Sequence, residues 1–300
     1  MSEFAETPET GDDRVPIAVI GGSGLYEMDG VEIIDEQDIE TPFGHPSAPI
    51  RIGQLGGRKV AFLPRHGEGH QFNPSTVPYR ANFWALKSLG VFWVLTASAV
   101  GSLKESIAPG DFVLPDQIID KTFRRPNTLY ENIAVHVGLS HPYEPKLREI
   151  LLEAARDELD ETVHDGGTYV CMEGPAFSTI AESEMHRQWG ADLIGMTAMP
   201  EARLAREAEM AYATLAMPSD YDVWREATPH VEVHDVLAVL KKSTSLAKDV
   251  FRSVIPRIPL DAEDECEASS ALETAIMTSP DAIPESTRRT MGIVLNNYIG

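Results

Sequence analysis

The sequence predicts an α/β protein with a single domain, in which helices flank a central mixed, largely buried β-sheet and a C-terminal helical segment follows. Short apolar runs alternate along the chain with longer segments of helical periodicity. The run at residues 211–217 is nearly uninterrupted, as expected of a strand that is buried on both faces. A length of 300 residues is enough for one substantial core.

The charge of the chain is strongly negative. There are 47 acidic and 25 basic residues, which gives a formal net charge of −22. A hydrophobic content of 43% is too high for a disordered chain. The negative field repels polyanions, so we expect neither nucleic acid nor a membrane as a partner. We interpret the surface as one suited to very high salt, because the screening length falls to about 3 Å at ~1 M.

Targeting signals and paired cysteines are not evident in the sequence. No apolar run approaches the roughly 18 residues that a membrane span needs. Residues 1–14 are acidic and polar, which predicts a disordered tail rather than a signal peptide. The two cysteines, Cys171 and Cys266, lie far apart and lack a metal-binding spacing. A cytoplasmic protein without a metal site is therefore predicted.

The first predicted strand ends in a glycine-rich loop. Residues 16–20 are apolar and run directly into Gly-Gly-Ser-Gly-Leu at 21–25. Backbone N–H groups of such a loop approach anions closely, and the hydroxyl of Ser23 can add a further hydrogen bond. The loop therefore predicts a phosphate site, with a plain tight turn as the alternative.

The next two strands lead to a cation beside an imidazole. Alternating residues at 49–55 and 59–63 predict a hairpin. Arg65 and His66 follow its second strand directly. Arginine binds oxyanions through paired N–H groups, and histidine can donate to the same anion. We expect an anion site here, and a surface turn is the alternative.

The remaining elements follow from periodicity and from the residues at their ends. Thr179 and Glu182 can form a capping box for the helix that follows them, and Pro200 suits the first turn of another helix. The polar segment 121–144 carries no such pattern and is expected to be either disordered or functional. The predicted helices are 77–89, 145–159, 180–189, 200–209 and 233–254, with further helical segments at 271–277 and 287–298, and the other predicted strands are 91–97, 111–114, 117–119, 168–172, 192–196 and 211–217.

Two carboxylates come after the predicted strand at 211–217. Pro218 and Ser219 are expected to stop this strand, so that Asp220 and Asp222 lie beyond its carboxyl end. Ligands of open α/β sheets collect at the carboxyl ends of strands, which makes the two acids candidates for a site. A solvated turn with a helix cap is the alternative.

Six short motifs occur in order along the chain. They are Gly-Gly-Ser-Gly-Leu at 21–25, Arg-His-Gly at 65–67, Gly-Ser-Leu at 101–103 with Pro-Gly-Asp at 109–111, Glu-Gly-Pro-Ala-Phe-Ser at 173–178, Met-Thr-Ala-Met-Pro-Glu at 196–201 and Ser-Asp-Tyr-Asp-Val-Trp at 219–224. In these motifs residues 16–257 resemble the trimeric purine nucleoside phosphorylases, and most closely the 5′-methylthioadenosine phosphorylases among them. The resemblance implies a phosphorylase domain at 15–257, which we expect to be followed by an acidic linker at 258–268 and a helical lid at 269–300.

The resemblance also implies a role for each matched residue. Phosphate is expected to bind at Ser23, Arg65, His66, the Ala99 backbone and Thr197, and the nucleoside is expected to contact Ser98, Phe177, Ser178, Met196, Asp220, Asp222, Val233 and Val236. His136 is expected to reach the site of a neighbouring subunit in a homotrimer, or in a hexamer of two trimers. The implied catalytic groups are Asp220, Asp222 and His66. No cofactor is implied, because inorganic phosphate is a co-substrate.

The implied reaction is the phosphorolysis of 5′-methylthioadenosine to adenine and 5-methylthioribose 1-phosphate. A purine leaves poorly as an anion, so an acid such as Asp220 must donate toward N7 as the glycosidic bond breaks. Arg65 and His66 must fix phosphate beneath C1′. The two acids also suit a 6-amino purine, because carboxylate oxygens accept hydrogen bonds from N6. The alternatives are a phosphorylase acting on adenosine or on inosine and guanosine, a hydrolytic nucleosidase and a non-catalytic nucleotide-binding module.

Overall fold

One mixed sheet of eleven strands runs through the described part of the chain, which comprises residues 14–22, 28–225 and 233–299, with side chains from Ala238 onward in the last range. The computed structural model gives the strands as β1 (Ile17–Gly21), β2 (Glu32–Gln37), β3 (Ile50–Leu55), β4 (Arg58–Pro64), β5 (Trp93–Ser102), β6 (Phe112–Leu114), β7 (Gln117–Lys121), β8 (Val163–Asp165), β9 (Thr168–Met172), β10 (Leu193–Gly195) and β11 (Ala211–Asp220). The helices are α1 (Tyr79–Ser88), α2 (Pro145–Glu158), α3 (Ile180–Gln188), α4 (Ala198–Glu207), α5 (Val233–Val254) and α6 (Glu285–Ile299). The predicted fold class is confirmed.

The strand β5 is the axis of the sheet. It pairs in parallel with β1 on one side and with β11 on the other, so that Leu95 lies opposite both Val19 and Ala213. Its last residues, Gly101 and Ser102, pair antiparallel with β10. Because β1 also runs parallel to β4, the strands β4, β1, β5 and β11 end at one edge of the sheet. This is the edge at which ligands of such sheets bind.

Helices cover both faces of the sheet. On one face α1, α4 and α6 pack through side chains such as Trp84, Leu204 and Leu295. On the other face α2 and α5 pack through side chains such as Leu151 and Phe251. The helices α2, α5 and α6 each turn one apolar stripe toward the core, whereas α1 and α4 are buried nearly all round. Each fully buried aliphatic or aromatic side chain contributes roughly 1.5–3 kcal/mol relative to exposure. The edge at which β4, β1, β5 and β11 end therefore lies at the boundary of a core that covers both faces of the sheet.

Four strands differ from the sequence prediction. Strand β5 runs to Ser102, so the predicted end of this strand at Ala97 is wrong and Ser98 and Ala99 lie within it. Strand β11 continues through Pro218 to Asp220, with a shift of its register against β5 between these residues, so the expected stop at Pro218 and Ser219 is wrong. A proline without an N–H group is tolerated at such an irregular position. Strands β2 and β8 are absent from the prediction. Most of β2 is exposed and shows no alternation, and β8 has only three residues.

Two helices show how local sequence sets helix ends. In α3 the predicted capping box is confirmed: Thr179 Oγ1 accepts from the backbone N of Glu182, and Glu182 Oε2 accepts from the backbone N of Thr179 at 2.8 Å. In α4 the backbone of Met199 is not helical, so the regular helix begins at Pro200 as predicted, although the element as a whole begins at Ala198.

The C-terminal helix α6 packs onto the body of the protein. Met291 and Leu295 lie in the same core cluster as Trp84 of α1. Trp84 Nε1 donates to the carbonyl oxygen of Thr290 at 2.8 Å. Tyr298 OH donates to Glu209 Oε1 at 2.6 Å, just beyond α4. These contacts make α6 part of the core, while the proposed role of residues 269–300 as a lid stays a prediction.

The prediction of a helix at 271–277 is wrong. This segment forms turns, and Ile276 pairs with Val135 in an isolated antiparallel bridge. The backbone N of Met277 also donates to the carbonyl oxygen of Ala134 at 2.9 Å. Backbone groups from segment 122–144, which is the part of the polar segment 121–144 that follows β7, thus take the place of helical hydrogen bonds. Among the helices of the described residues, none combines the length and apolarity needed to cross a membrane.

Candidate active site

Arg65 is a buried cation at the carboxyl end of β4. Its Nε donates to Glu201 Oε1 at 2.5 Å, and its Nη2 donates to Glu201 Oε2 at 3.0 Å. Its Nη1 donates to the carbonyl oxygen of Ala97 in β5 at 3.0 Å. Arg65 and Glu201 are 2% and 1% exposed. The ion pair therefore crosses the core from β4 to α4 and fixes the guanidinium at the strand ends.

The charge of Arg65 is maintained by its surroundings. Burial works against the cation, but the carboxylate of Glu201 outweighs burial and raises the pKa of Arg65 further above its ordinary range. Tyr212 OH holds the same carboxylate by donating to Glu201 Oε2 at 2.9 Å. A guanidinium has five N–H groups, and its three bonds to Glu201 and Ala97 leave two for an oxyanion.

His66 makes its donor bond away from the expected anion. Its Nδ1 lies 2.8 Å from the carbonyl oxygen of Phe72. A carbonyl oxygen can only accept, so Nδ1 carries the ring proton. Burial, followed by the positive charge of Arg65, lowers the pKa of His66 to about 4. The neutral ring therefore presents an acceptor at Nε2, whereas the sequence led us to expect a donor.

Two hydroxyl groups lie next to this pair of strand ends. Ser98 Oγ and Thr197 Oγ1 are 3.1 Å apart, and both side chains are buried. Ser98 follows Ala97 in β5, and Thr197 directly precedes α4. Ala99, the next residue of β5, is exposed. Hydroxyl and backbone groups at this point can bind the same ligand as Arg65.

The acid pair is held at the far end of β5. Asp220 Oδ2 accepts from Ser219 Oγ, and Asp220 Oδ1 accepts from the backbone N of Asp222, both at 2.8 Å. Asp222 has φ of +50°, and its Oδ2 is buried without a hydrogen-bond partner in the described part of the chain. A Cβ added at Gly101 would lie 3.1 Å from Asp220 Oδ1 and 3.3 Å from Asp222 Cβ. Both acids therefore rest against the backbone of β5.

One strand thus relates the two halves of the site. Arg65 bonds to Ala97, and the acids contact Gly101 four residues further along β5. A strand rises about 3.3 Å per residue, so these two points are roughly 13 Å apart. The geometry brings Arg65, Ser98 and Thr197 to one point of β5 and Asp220 and Asp222 to another.

Arg125 is a buried residue that the sequence prediction does not include. Its Nη1 donates to the carbonyl oxygens of Met196 and Met199, both at 2.5 Å, and its Nη2 donates to that of Glu173 at 2.6 Å. Arg125 is 6% exposed. One guanidinium thus joins the turn after β9 to the turn after β10. No pattern in the sequence distinguishes it from its exposed neighbour Arg124.

Glu173 completes this buried network. Its Oε2 accepts from the backbone N of Phe123 at 2.8 Å and from that of Arg124 at 3.2 Å. Burial opposes the charge of Glu173, but these bonds and the nearby Arg125 outweigh burial and hold its pKa below the ordinary value. Segment 122–144 is thereby anchored beside the site.

The other predicted site residues are distributed as follows. Met196 is half-buried beside Thr197, and Ser178 is buried, with its Oγ 3.8 Å from Met172 Sδ. Phe177 is 83% exposed, and His136 is exposed on segment 122–144. Ser23 and the side chains of Val233 and Val236 lie outside the described residues.

The described part of the chain contains neither a cluster of metal ligands nor a disulfide. No group of three or more His, Cys, Asp or Glu side chains among the described residues is arranged to hold a metal ion. Cys171 and Cys266 are both free thiols in the interior. Burial raises the pKa of Cys171 to about 12, so this thiol stays protonated and belongs to the packing beneath the site.

Comparison with known proteins identifies the family. The sequence model of the phosphorylase superfamily matches residues 16–256, which is most of the chain. The chain belongs to the phosphorylase superfamily. The S-methyl-5′-thioadenosine phosphorylase of Chloroflexus aurantiacus is 50% identical over 284 residues, which cover 94% of this chain and 98% of that protein.

Solved structures of this superfamily share the fold. A methylthioadenosine phosphorylase sourced from an antarctic soil metagenomic library superimposes with a TM-score of 0.89 at 44% identity, over 95% of this chain and all of that one. A methylthioadenosine phosphorylase from Schistosoma mansoni, solved in complex with adenine, gives a TM-score of 0.82 at 34% identity over 88% of this chain and 99% of that one.

Proposed function

We propose that the protein catalyses the phosphorolysis of 5′-methylthioadenosine to adenine and 5-methylthioribose 1-phosphate. The proposal rests on one observation: a buried arginine and a pair of acids contact the same strand at points roughly 13 Å apart. A span of this size accommodates a sugar with phosphate at one end and a purine at the other. The names of the relatives support methylthioadenosine as the nucleoside.

Phosphate is proposed to bind at the end of the site that contains Arg65. Arg65 supplies two N–H groups to the phosphate. The hydroxyl of Thr197 and the backbone of Ala99 are proposed to contact it as well. His66 and Ser23 are the other proposed phosphate contacts. Because Glu201 and Ala97 already fix the guanidinium, the cation need not reorganise when charge develops on the sugar. Such prearranged charge is the largest contribution in many enzymes.

The purine is proposed to bind at the end that contains Asp220 and Asp222. Asp220 donates a proton toward N7 as the C1′–N9 bond breaks, which offsets the negative charge on the leaving base. Asp222 has a buried oxygen without a hydrogen-bond partner among the described residues, and this oxygen can accept a hydrogen bond from the 6-amino group. Phe177, Ser178, Ser98 and Met196 are proposed to line the base and the ribose, and Val233 and Val236 the 5′ substituent.

The choice of base follows from the same two acids. A 6-oxo purine presents an acceptor to carboxylate oxygens, and leaving a buried polar group unpaired costs about 1–3 kcal/mol. Adenine-type nucleosides are therefore favoured over inosine and guanosine, and the relatives named above as methylthioadenosine phosphorylases support the same choice. No cofactor is part of the proposal, because phosphate itself is the nucleophile.

We infer that the enzyme assembles as a homotrimer, or as a hexamer of two trimers. Phe123, Phe177 and Ile180 are 80%, 83% and 68% exposed in the single chain, and Glu173 ties the first of them to the turn that carries the second. Large apolar groups left exposed in this way are typical of subunit contacts. The exposed His136 is proposed to reach a neighbouring site. Sedimentation of the purified protein tests this assembly.

The acidic surface is proposed to suit concentrated salt, and a cytoplasmic location stays a prediction. With a net charge of −22, self-repulsion is screened only where the screening length is short. We expect circular dichroism to report a loss of structure when the protein is moved from molar potassium chloride to dilute buffer. An unchanged spectrum and full activity without salt contradict this part of the proposal.

The activity is tested by measuring adenine release with and without phosphate. We expect methylthioadenosine to release adenine only when phosphate is present, at a higher kcat/KM than adenosine or inosine. Equal release without phosphate instead indicates a hydrolytic nucleosidase. Binding of the nucleoside without any release of adenine indicates a non-catalytic binding protein.

A further inference from the structure

The orientation of the His66 ring is set by a hydrogen bond to Phe72. His66 Nδ1 donates to the carbonyl oxygen of Phe72 at 2.8 Å, and the backbone N of Phe72 donates to the carbonyl oxygen of His66 at 3.0 Å. The loop between them is tight: Gly67 has φ of +74°, and a Cβ there would lie 2.8 Å from the carbonyl oxygen of Ser47. Turning the ring over breaks the bond from Nδ1. The direction of Nε2 is therefore fixed by the fold.

The state of the ring follows from its surroundings. The carbonyl group of Phe72 can only accept, so the proton lies on Nδ1 and the lone pair lies on Nε2. One face of the ring stacks on His70, with centroids 4.2 Å apart. A second proton is opposed by burial and by the nearby cations Arg65 and Arg125, which lower the pKa to about 4. The hydrogen bond that the ring makes within the described residues is the one at Nδ1.

We infer that His66 recognises the hydroxyl group of a protonated oxyanion: Nε2 accepts a hydrogen bond from the P–OH of phosphate, and the site thereby rejects fully deprotonated oxyanions such as sulfate. The inference rests on the proposed function, which puts phosphate beside Arg65. Near neutral pH phosphate keeps a proton, whereas sulfate presents only lone pairs. A lone pair on Nε2 that faces a sulfate oxygen gains no hydrogen bond and is repelled.

The proton balance of phosphorolysis gives this contact a further consequence. A neutral nucleoside and HPO4²⁻ become a sugar phosphate dianion and neutral adenine. The bond from C1′ to a phosphate oxygen forms, the C1′–N9 bond breaks, and one proton passes in total from phosphate to the purine. His66 accepts from the oxygen that loses this proton, and Asp220 lies at the base that gains one. Between turnovers the proton lost by phosphate is released to solvent and Asp220 regains one from solvent, so no net proton is consumed.

The test compares three tetrahedral oxyanions on the intact enzyme. The KM of phosphate and of arsenate, which also keeps an OH group, is measured beside the inhibition constant of sulfate against phosphate. We expect sulfate to bind at least about tenfold more weakly than phosphate, since one hydrogen bond of this kind is worth about a factor of ten. Arsenate is expected to lie within about threefold of phosphate, because the same hydrogen bond forms.

Two histidine substitutions test whether the preference for phosphate over sulfate depends on His66. In His66→Gln the side-chain amide can donate as well as accept, so the preference for phosphate over sulfate is expected to fall about tenfold. In His70→Gln, the same change on the stacked neighbour, the preference is expected to stay as in the wild type. A preference that is unchanged in His66→Gln overturns the inference.

Two outcomes on the wild type decide the matter even if the variants fail to fold. Sulfate that binds as tightly as phosphate overturns the inference, because it means that the ring donates. A nitrogen NMR spectrum of the histidines provides a second readout: a proton on Nε2 of His66 near neutral pH overturns the inference, and a proton on Nδ1 alone supports it. Adenine release that needs no phosphate instead overturns the proposed function, whatever the ratio of oxyanion affinities.

Discussion

The two ends of the site are built in different ways. At the phosphate end, Arg65 and Glu201 are 136 residues apart in the chain and almost fully buried. At the base end, Asp220 is half-buried and bonds to Ser219 and Asp222, within two residues of itself. The phosphate end is therefore part of the core, and the base end consists of the last residue of β11 and the turn that follows it.

Because of this difference, substitutions at the two ends of the site are expected to have different effects on the stability of the fold. Removing one charge from a buried pair leaves the other without compensation in a medium of low dielectric, which is strongly destabilising. A partly exposed carboxylate can be replaced with little cost to the fold, because solvent takes over its interactions. Substitutions at the phosphate end are thus expected to affect folding and phosphate binding together, while those at the base end are expected to affect turnover and base binding with little effect on folding.

The largest loss of stability is expected for Glu201→Gln. The substitution leaves the guanidinium of Arg65 buried without a counter-charge, which costs about 3–5 kcal/mol. The free energy of unfolding from urea titrations in high salt measures this loss. The matched control is Glu184→Gln, which breaks an exposed pair with Arg187 and is expected to cost at most about 1 kcal/mol. Equal losses in the two variants contradict the assignment of Arg65 and Glu201 to the core.

The same contrast explains what the sequence could predict. Asp220 and its neighbours interact within a few residues, so a local motif was enough to predict them as a group, and Thr179 and Glu182 likewise predicted the start of α3, which is confirmed. Arg125 and Glu201 act through partners 48 to 136 residues away. Nothing in a local pattern reports such pairs, because tertiary contacts select them.

The errors in the fold have the same origin. Pro218 and Ser219 are turn residues by local preference, yet the pairing of β11 with β5 carries the strand past them. The segment 271–277 has the apolar content of a helix, yet its backbone pairs with Val135 and Ala134 instead. In both cases a neighbouring strand or segment supplied hydrogen bonds that no local pattern reveals, and tertiary context overrode propensity.

An intermediate effect, which depends on pH, is expected at Glu207 near the end of α4. Glu207 Oε2 accepts from the backbone N of Leu129 at 2.7 Å, and Oε1 accepts from Thr128 Oγ1 at 2.9 Å. Burial raises the pKa of Glu207 from 4.5 to about 7. A raised carboxyl pKa means that the contribution to stability is complete below about pH 4.5 and is lost as the pH rises through about 7.

The variant Glu207→Gln isolates this contribution. The wild type is expected to lose up to about 3 kcal/mol relative to the variant between about pH 4.5 and 8, at ~1.36 kcal/mol per pKa unit. Unfolding free energies of both proteins across this range provide the measurement. A difference that stays constant with pH contradicts this prediction, because it shows that folding does not shift the pKa of Glu207.

The smallest effect on stability, and the clearest separation of the two ends, is expected for Asp220→Asn. The amide keeps the size of the side chain and can still accept from Ser219, so the free energy of unfolding should change by less than about 1 kcal/mol. Turnover of methylthioadenosine should fall at least about 100-fold, because the proton donor for N7 is lost. The KM of phosphate should stay near its wild-type value, since Arg65 contacts β5 at Ala97, roughly 13 Å along the strand from the acids at Gly101. Unaltered turnover excludes Asp220 as the acid, whereas a large loss of stability contradicts the separation itself, because the base end then also belongs to the core.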